Sequence, residues 1–217
     1  MTVDDQTDPG AWYRPASVHV EQYDENWPTL YRIEAAMITA ATGSHFVEIE
    51  HIGSTAIPGM PAKPIVDILA AVTSWERFDE LVECLSCIGY RYTPESEGDD
   101  RSRRVFRKGP DDMRLLRTHH LHVTESGSSH WGRLVGFRDQ LRDSAADAAA
   151  YVALKRRLAE QFSNDSRSYT QGKADFVRGV EAKRDEFTIG DIERPTDDAA
   201  WPTDRVPQNT RSTDGPG

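Results

Sequence analysis

The segment Ile65-Val66-Asp67-Ile68-Leu69-Ala70-Ala71-Val72 constrains the fold most strongly. Apart from Asp67, it is apolar on both of its alternating faces, so it predicts a strand inside a sheet with cover on each side. An unpaired carboxylate buried in such a strand is costly unless a cation, a metal or hydrogen-bond donors compensate it. Something must therefore face Asp67.

The residues upstream supply candidates. Phe46 to Ile52 is β-rich, and a glycine- and proline-containing loop from Gly53 to Pro64 connects it to the apolar strand. Gly53 lets backbone approach a ligand closely, while Ser54 and Thr55 add hydroxyl donors suited to phosphate oxygens. Lys63 closes the loop. Pro58, Pro61 and Pro64 forbid the helix that a Walker A motif needs after its lysine, which excludes a P-loop. The alternative is a tight connection in which backbone donors satisfy Asp67. Downstream, His120-Leu121-His122 places two imidazoles on one strand face. With Asp67 they would make a divalent-metal site of the imidazole and carboxylate kind; otherwise they are a solvated polar face.

Coarse punctuation gives the rest of the map. Asn26-Trp27-Pro28 opens a helix to about Thr42 that Gly43 closes, and Ser74 caps a second helix running to Gly89. Arg103 to Lys108 and about Leu115 to Thr124 form a hairpin around Gly109-Pro110-Asp111-Asp112. Helices follow over roughly 129–142, 144–162 and 169–187. The architecture expected is α+β, a mixed sheet with flanking helices and a C-terminal helical segment, occupying residues 14–189. Residues 1–13 and the proline-rich tail 190–217, with six acids against three bases, read as disordered.

Charge narrows the function classes. The net charge of −10 argues against general adhesion to nucleic acid. Seven bases against two acids between Arg101 and Arg117 nevertheless make a local patch for a small polyanion. Arg104, Arg107 and Lys108 in it are either phosphate contacts or the charged guard of a sheet edge. No stretch approaches the roughly 18 apolar residues of a membrane span, and the acidic N-terminus is unlike a secretion signal. A cytoplasmic protein is expected. Cys84 and Cys87 have redox spacing but fall near a helix end, where packing is the favoured role. Lys155-Arg156-Arg157, Arg178 and Lys183-Arg184 read as exposed helix faces, although the helix carrying Tyr169 and Lys173 could close over a nucleotide.

The strings EHIGSTAIPGMPAKPIVDI (Glu50 to Ile68), FRKG (Phe106 to Gly109), HHLHV (His119 to Val123), FRDQLR (Phe137 to Arg142) and YVALKRRLA (Tyr151 to Ala159), with Tyr169-Thr170, Lys173 and Phe176, resemble the GrpB family in order over about residues 17–187. The resemblance implies a nucleotidyltransferase-like fold of the polymerase-beta type, with relatives fused behind dephospho-CoA kinase. It places Gly53-Ser54 at the triphosphate-holding turn and Asp67 at the first metal carboxylate. The pattern then breaks, because the second acid, two residues on, is Leu69 here. One Asp with two imidazoles supplies less negative charge than two-magnesium catalysis needs and suits zinc or manganese better than magnesium.

The leading expectation is a nucleotidyltransferase-like protein that binds a nucleoside triphosphate or other phosphorylated metabolite. Asp67 and Lys63 would be its catalytic residues, and Gly53, Ser54, Thr55, Arg104, Arg107, Lys108 and Lys173 its phosphate ligands. A divalent magnesium, manganese or zinc ion would sit on Asp67, His120 and His122. An acceptor hydroxyl would need a base, and Glu50 and His51 are the neighbours, on opposite strand faces. Two alternatives remain open: a non-catalytic accessory domain of coenzyme A metabolism, which Leu69 favours, and a metal-dependent phosphohydrolase using Asp67, His120 and His122.

Overall fold

Residues 18–97, 102–109 and 117–190 are described by a computed structural model, with side chains described as far as residue 183. The elements are α1 (Trp27–Thr42), β1 (Phe46–Ile52), β2 (Val66–Val72), α2 (Phe78–Cys87), β3 (Tyr90–Tyr92), β4 (Arg103–Lys108), β5 (His119–Glu125), α3 (Ser129–Asp143), α4 (Ala145–Gln161), α5 (Ser166–Gln171) and α6 (Ala174–Gly190). They form an α+β fold around one five-stranded mixed sheet in the order β1-β2-β5-β4-β3. Only the β2–β5 pair is parallel. The expected segment 1–13, residues 191–217 of the expected tail at 190–217 and residues 110–112 of the expected turn at 109–112 lie outside the described residues.

β2 sits inside the sheet, as its composition requires, and every residue in it except Asp67 is buried. Residues paired across strands share a face, so register sorts the sheet into two. Ile68, Ala70 and Val72 join Leu121, Val123, Phe106 and Tyr90 in the main core, under Trp27 and Ile38 of α1 and Leu81 and Leu85 of α2. Asp67 and Leu69 share the other face with His120 and His122, their partners in the β2–β5 register.

The loop between β1 and β2 is fastened to the helical segment. Ile57 and Met60 pack with Leu141 and Tyr151. Arg142 donates from Nε and an Nη to the Ala56 carbonyl at 3.1 and 2.8 Å, and Lys155 donates to the Pro61 carbonyl. Arg138 reaches from α3 to Glu50 at 2.6 Å and to the His51 carbonyl at 2.9 Å. Basic side chains on α3 and α4, with Arg138 and Lys155 buried and Arg142 exposed, thereby hold the loop against the sheet.

Several expectations change in detail. Ser74 does not cap α2, which starts at Phe78 because Trp75 is spent in the preceding turn against Phe78, ring centres 5.9 Å apart. The short strand β3 was not foreseen, because three residues are too few to show a period. It covers β4, so the Arg103–Lys108 strand is not a sheet edge. The final helix is two: Asp165 caps α5 through the amides of Arg167 and Ser168, and the chain bends at Gly172. A Cβ there would meet Leu158 Cδ2 at 2.6 Å, so the bend packs directly on α4.

Across the sheet, a buried ion pair joins α1 to β4. Lys108 Nζ donates to both oxygens of Glu34 at 2.8 and 3.0 Å, and Glu34 is 4% exposed. Removing only the cation leaves the buried carboxylate with Tyr90 and His119 as its polar neighbours, so Lys108→Met should lower unfolding stability by about 2–3 kcal/mol, less than a fully buried pair because the ammonium is part-exposed. Denaturant melts would show the loss, and the double change Lys108→Met/Glu34→Leu should recover most of it.

Gly53, at the end of β1, has φ +70°, and a Cβ on it would lie 2.4 Å from Asp67 Oδ2. Gly53→Ala meets a backbone conformation unfavourable to L side chains and a carboxylate in the same space. A cost of at least about 2 kcal/mol is expected, read as a melting temperature about 4–8 °C lower. Adding Asp67→Ala should restore part of it by removing the clash.

Candidate functional site

Asp67 enters the site from β2 with its flank pressed on Gly53, which leaves its carboxylate to meet β5. Its Oδ1 lies 3.1 Å from His120 Nδ1. Burial alone would push its pKa up, but the hydrogen bond from His120 and the charges of His120, His122 and Lys173 outweigh that and hold it below the usual carboxylate value. His122, two residues on, is pushed down to about 4 by burial and is therefore a neutral imidazole near pH 7. His122 Nδ1 and His120 Nε2 are buried without a hydrogen-bond partner.

Asp67, His120 and His122 each offer one ligand atom within 4.8 Å of the others. A neutral imidazole lone pair, a carboxylate and an unpartnered ring nitrogen are a fitting donor set for zinc or manganese. Among the described residues no other such cluster of His, Cys, Asp and Glu occurs.

Three lysines gather on the same side. Lys63 and Lys173 each place Nζ 4.6 Å from the centre of the Tyr169 ring, and Tyr169 is buried. Lys63 Nζ also donates to Ser166 Oγ at 3.1 Å. Burial, then the neighbouring Lys173 and Arg117, bring the Lys63 pKa down to about 8 against a smaller opposing effect of Asp67. Lys173 is lowered by burial, with Asp67 opposing. The third, Lys155, was expected on an exposed face and is instead 2% exposed. It donates to Ser54 Oγ at 3.1 Å, and burial followed by Lys173 brings it down to about 7. Among the described residues Lys108 and Lys183 are ion-paired to carboxylates, but these three are not.

The remaining expected residues divide. Gly53 and Ser54 stand at the site, whereas Thr55 turns inward, 1% exposed, to His51 Nε2 at 3.0 Å. Arg107 pairs in register with His120 and shares its face. Arg104 and Lys108 alternate to the opposite face: Arg104 lies over the Trp75 and Phe78 rings and 3.8 Å from Glu97, and Lys108 holds Glu34. The three bases therefore do not form one phosphate cluster, since side chains alternate along a strand. Neither neighbouring base candidate is disposed to act at Asp67, although Glu50 pairs in register with Leu69 on the same face. Glu50 is held by Arg138, and His51 stacks on Tyr31 at 4.6 Å with its pKa brought down to about 4, chiefly by burial.

Lys155 was missed although its spacing was readable. Tyr151, Lys155 and Leu158 step along one buried stripe of α4 at four and three residues. A basic triplet suggested a solvated face and outweighed that signal. Lys183 is exposed as expected, yet pairs with Asp147 at 2.7 Å. Cys84 and Cys87 are free thiols near the end of α2.

No helix among the described residues is long and apolar enough to cross a membrane. The chain is 37% identical over 158 residues to the glutamate-rich protein GrpB of Alkalihalophilus pseudofirmus, a match covering 71% of this chain and 88% of that protein. It is also 37% identical to the UPF0157 protein YqkA of Bacillus subtilis over 79% of its own length, spanning about half (49%) of that relative. A protein named dephospho-CoA kinase from Mycolicibacterium paratuberculosis is 28% identical, with 75% of this chain matching 45% of it. The crystal structure of conserved protein GrpB from Enterococcus faecalis superposes with a TM-score of 0.70 at 31% identity, covering 79% of this chain and 99% of that one. The family model described as GrpB protein matches residues 17–183, and with the ordered sheet, loop and helical segment in place, the chain belongs to the GrpB family.

Proposed function

We propose that this protein binds a phosphorylated small molecule, of the nucleoside triphosphate or related polyphosphate class, where the Asp67 face of the sheet meets α4, α5 and α6. The observation that carries this reading is the charge imbalance: Lys63 and Lys173, both half-buried, meet over Tyr169 with no carboxylate ion-paired to either, and Asp67 is the one acid whose charge reaches them. Desolvated ammonium groups without counter-ions are costly, and a phosphate anion would supply the missing negative charge. A divalent ion on Asp67, His120 and His122 would neutralise and polarise a phosphoryl oxygen. Lys63 and Lys173 would hold the phosphate chain, and Tyr169 fixes both ammonium groups in place. Nucleotidyl transfer is the finer form of this reading.

A second reading is an accessory unit of coenzyme A metabolism. Leu69 occupies the position of a second carboxylate and is fully buried, so the sheet presents one metal-binding acid rather than two. Relatives named dephospho-CoA kinase match over less than half of their own length, consistent with a unit carried inside longer chains.

Thermal melts of the full chain with tripolyphosphate and ATP, each with manganese, zinc or magnesium, test the binding. A ligand at a hundred times its dissociation constant adds about 2.7 kcal/mol, or roughly 5–10 °C at this size. Lys63→Met/Lys173→Met should remove the shift without lowering the melting temperature of the empty protein. No shift with any combination would overturn the reading. For the cation, His122→Ala should weaken zinc or manganese binding by about a hundredfold in calorimetric titration.

The pH dependence has a definite sign. The folded state depresses Lys63 to about 8, so the cost of keeping it charged is full below pH 8 and fades as pH rises from there toward the ordinary lysine value. A bound anion favours the charged form. Above pH 8 it must draw a proton in to obtain it, so the dissociation constant for tripolyphosphate should rise at least about tenfold between pH 7 and about pH 9.5. An affinity that is flat over this range would exclude Lys63 as a ligand.

A further inference from the structure

Ser54 is the first residue beyond the Gly53 bend, in a short turn whose chain is set by the contact of Gly53 with Asp67. Its Oγ is 3.1 Å from Lys155 Nζ. Nζ is aimed by its second hydrogen bond, to the Pro61 carbonyl, and sits 4.8 Å from the centre of the Tyr151 ring. The ionisable groups facing it are Tyr151 on its own helix and Lys173 ahead of α6. Neither is an acid that would hold a proton on the amine. A desolvated amine fixed beside one hydroxyl is the arrangement of serine–lysine nucleophilic pairs.

We propose that Ser54 is a nucleophile, that Lys155 is its base, and that the phosphoryl group of the bound ligand passes transiently to Ser54. The phosphorylated ligand rests on the reading above; the nucleophile does not. As the Ser54 Oγ–P bond forms, the bond from phosphorus to the leaving oxygen breaks and that oxygen departs with the electron pair, taking a proton from solvent. The Ser54 hydroxyl proton goes to Lys155 Nζ. A water then forms a new O–P bond while Oγ–P breaks, Lys155 returns its proton to Oγ, the water's surplus proton goes to solvent, and inorganic phosphate leaves. Lys63 and Lys173 carry the anionic charge in both steps. The Lys155 pKa of about 7 supports this, because a substantial fraction of the amine is free to accept a proton at neutral pH.

A lysine that merely ties the loop to α4 would give the same fold with an inert serine, so the test reads reactivity. The full chain is treated with a fluorophosphonate, in which Oγ displaces fluoride from phosphorus, and mapped by mass spectrometry. One adduct on Ser54 is expected, forming faster as pH rises through about 7, absent in Ser54→Ala and slowed about a hundredfold in Lys155→Met. If Lys155→Met does not fold, the pH profile of the unaltered chain decides, and a flat profile overturns the proposal. Acid-quenched incubation with p-nitrophenyl phosphate and manganese should leave one phosphoryl group on Ser54. No adduct on Ser54 with either reagent, while the tripolyphosphate melting shift persists, sinks the nucleophile alone. Loss of that shift as well sinks the binding reading with it.

Discussion

The carboxylate of Asp67 and the bare α-carbon of Gly53 occupy adjoining space that no larger residue could share, and much of the site follows from that contact. Because nothing but hydrogen fits at position 53, β1 can end directly beside Asp67 and turn away with positive φ. The turn delivers Ser54 toward α4 and Thr55 back into the core against His51. With one flank closed by backbone, the carboxylate has β5 as its open direction, where His120 waits in register.

The helical segment is bound to this arrangement by cations more than by apolar packing alone. Arg138, Arg142 and Lys155 each reach a backbone carbonyl at the end of β1 or in the following loop. The arginine bonds are charge-assisted, and together the three oblige α3 and α4 to bring basic groups to the loop's flank. Lys63 and Lys173 then meet over Tyr169 from the loop and from the turn before α6. Among the described residues Lys63, Lys155 and Lys173 have no carboxylate ion pair, and the anionic ligand proposed above would supply one.

Much of this was readable before the structure. The lone acid in an apolar run required a partner, and the alternation of β5 put His120 and His122 on one side, where both meet Asp67. The end of α1 at Gly43 holds because a glycine closure is local chemistry. What failed was sidedness over a distance. Arg104, Arg107 and Lys108 looked like one patch in the sequence, yet alternation divides them between two faces of β4. Lys155 lay in a charged triplet that read as surface, although Tyr151 and Leu158, four and three residues away, marked the buried stripe of α4.

Sequence alone determined that the segments around Phe46 to Ile52, Val66 to Val72 and His119 to Thr124 are strands, that Asp67 would need a partner, and that His120 and His122 would share a face, since each depends on local alternation. The tertiary structure decided which cations meet that acid and which are spent elsewhere. Lys155 lies 101 residues from Ser54, and Lys63 lies 103 from Ser166. Burial and charge pairing between segments so far apart depend on how α3 to α6 pack across the sheet, and local spacing carries no record of that.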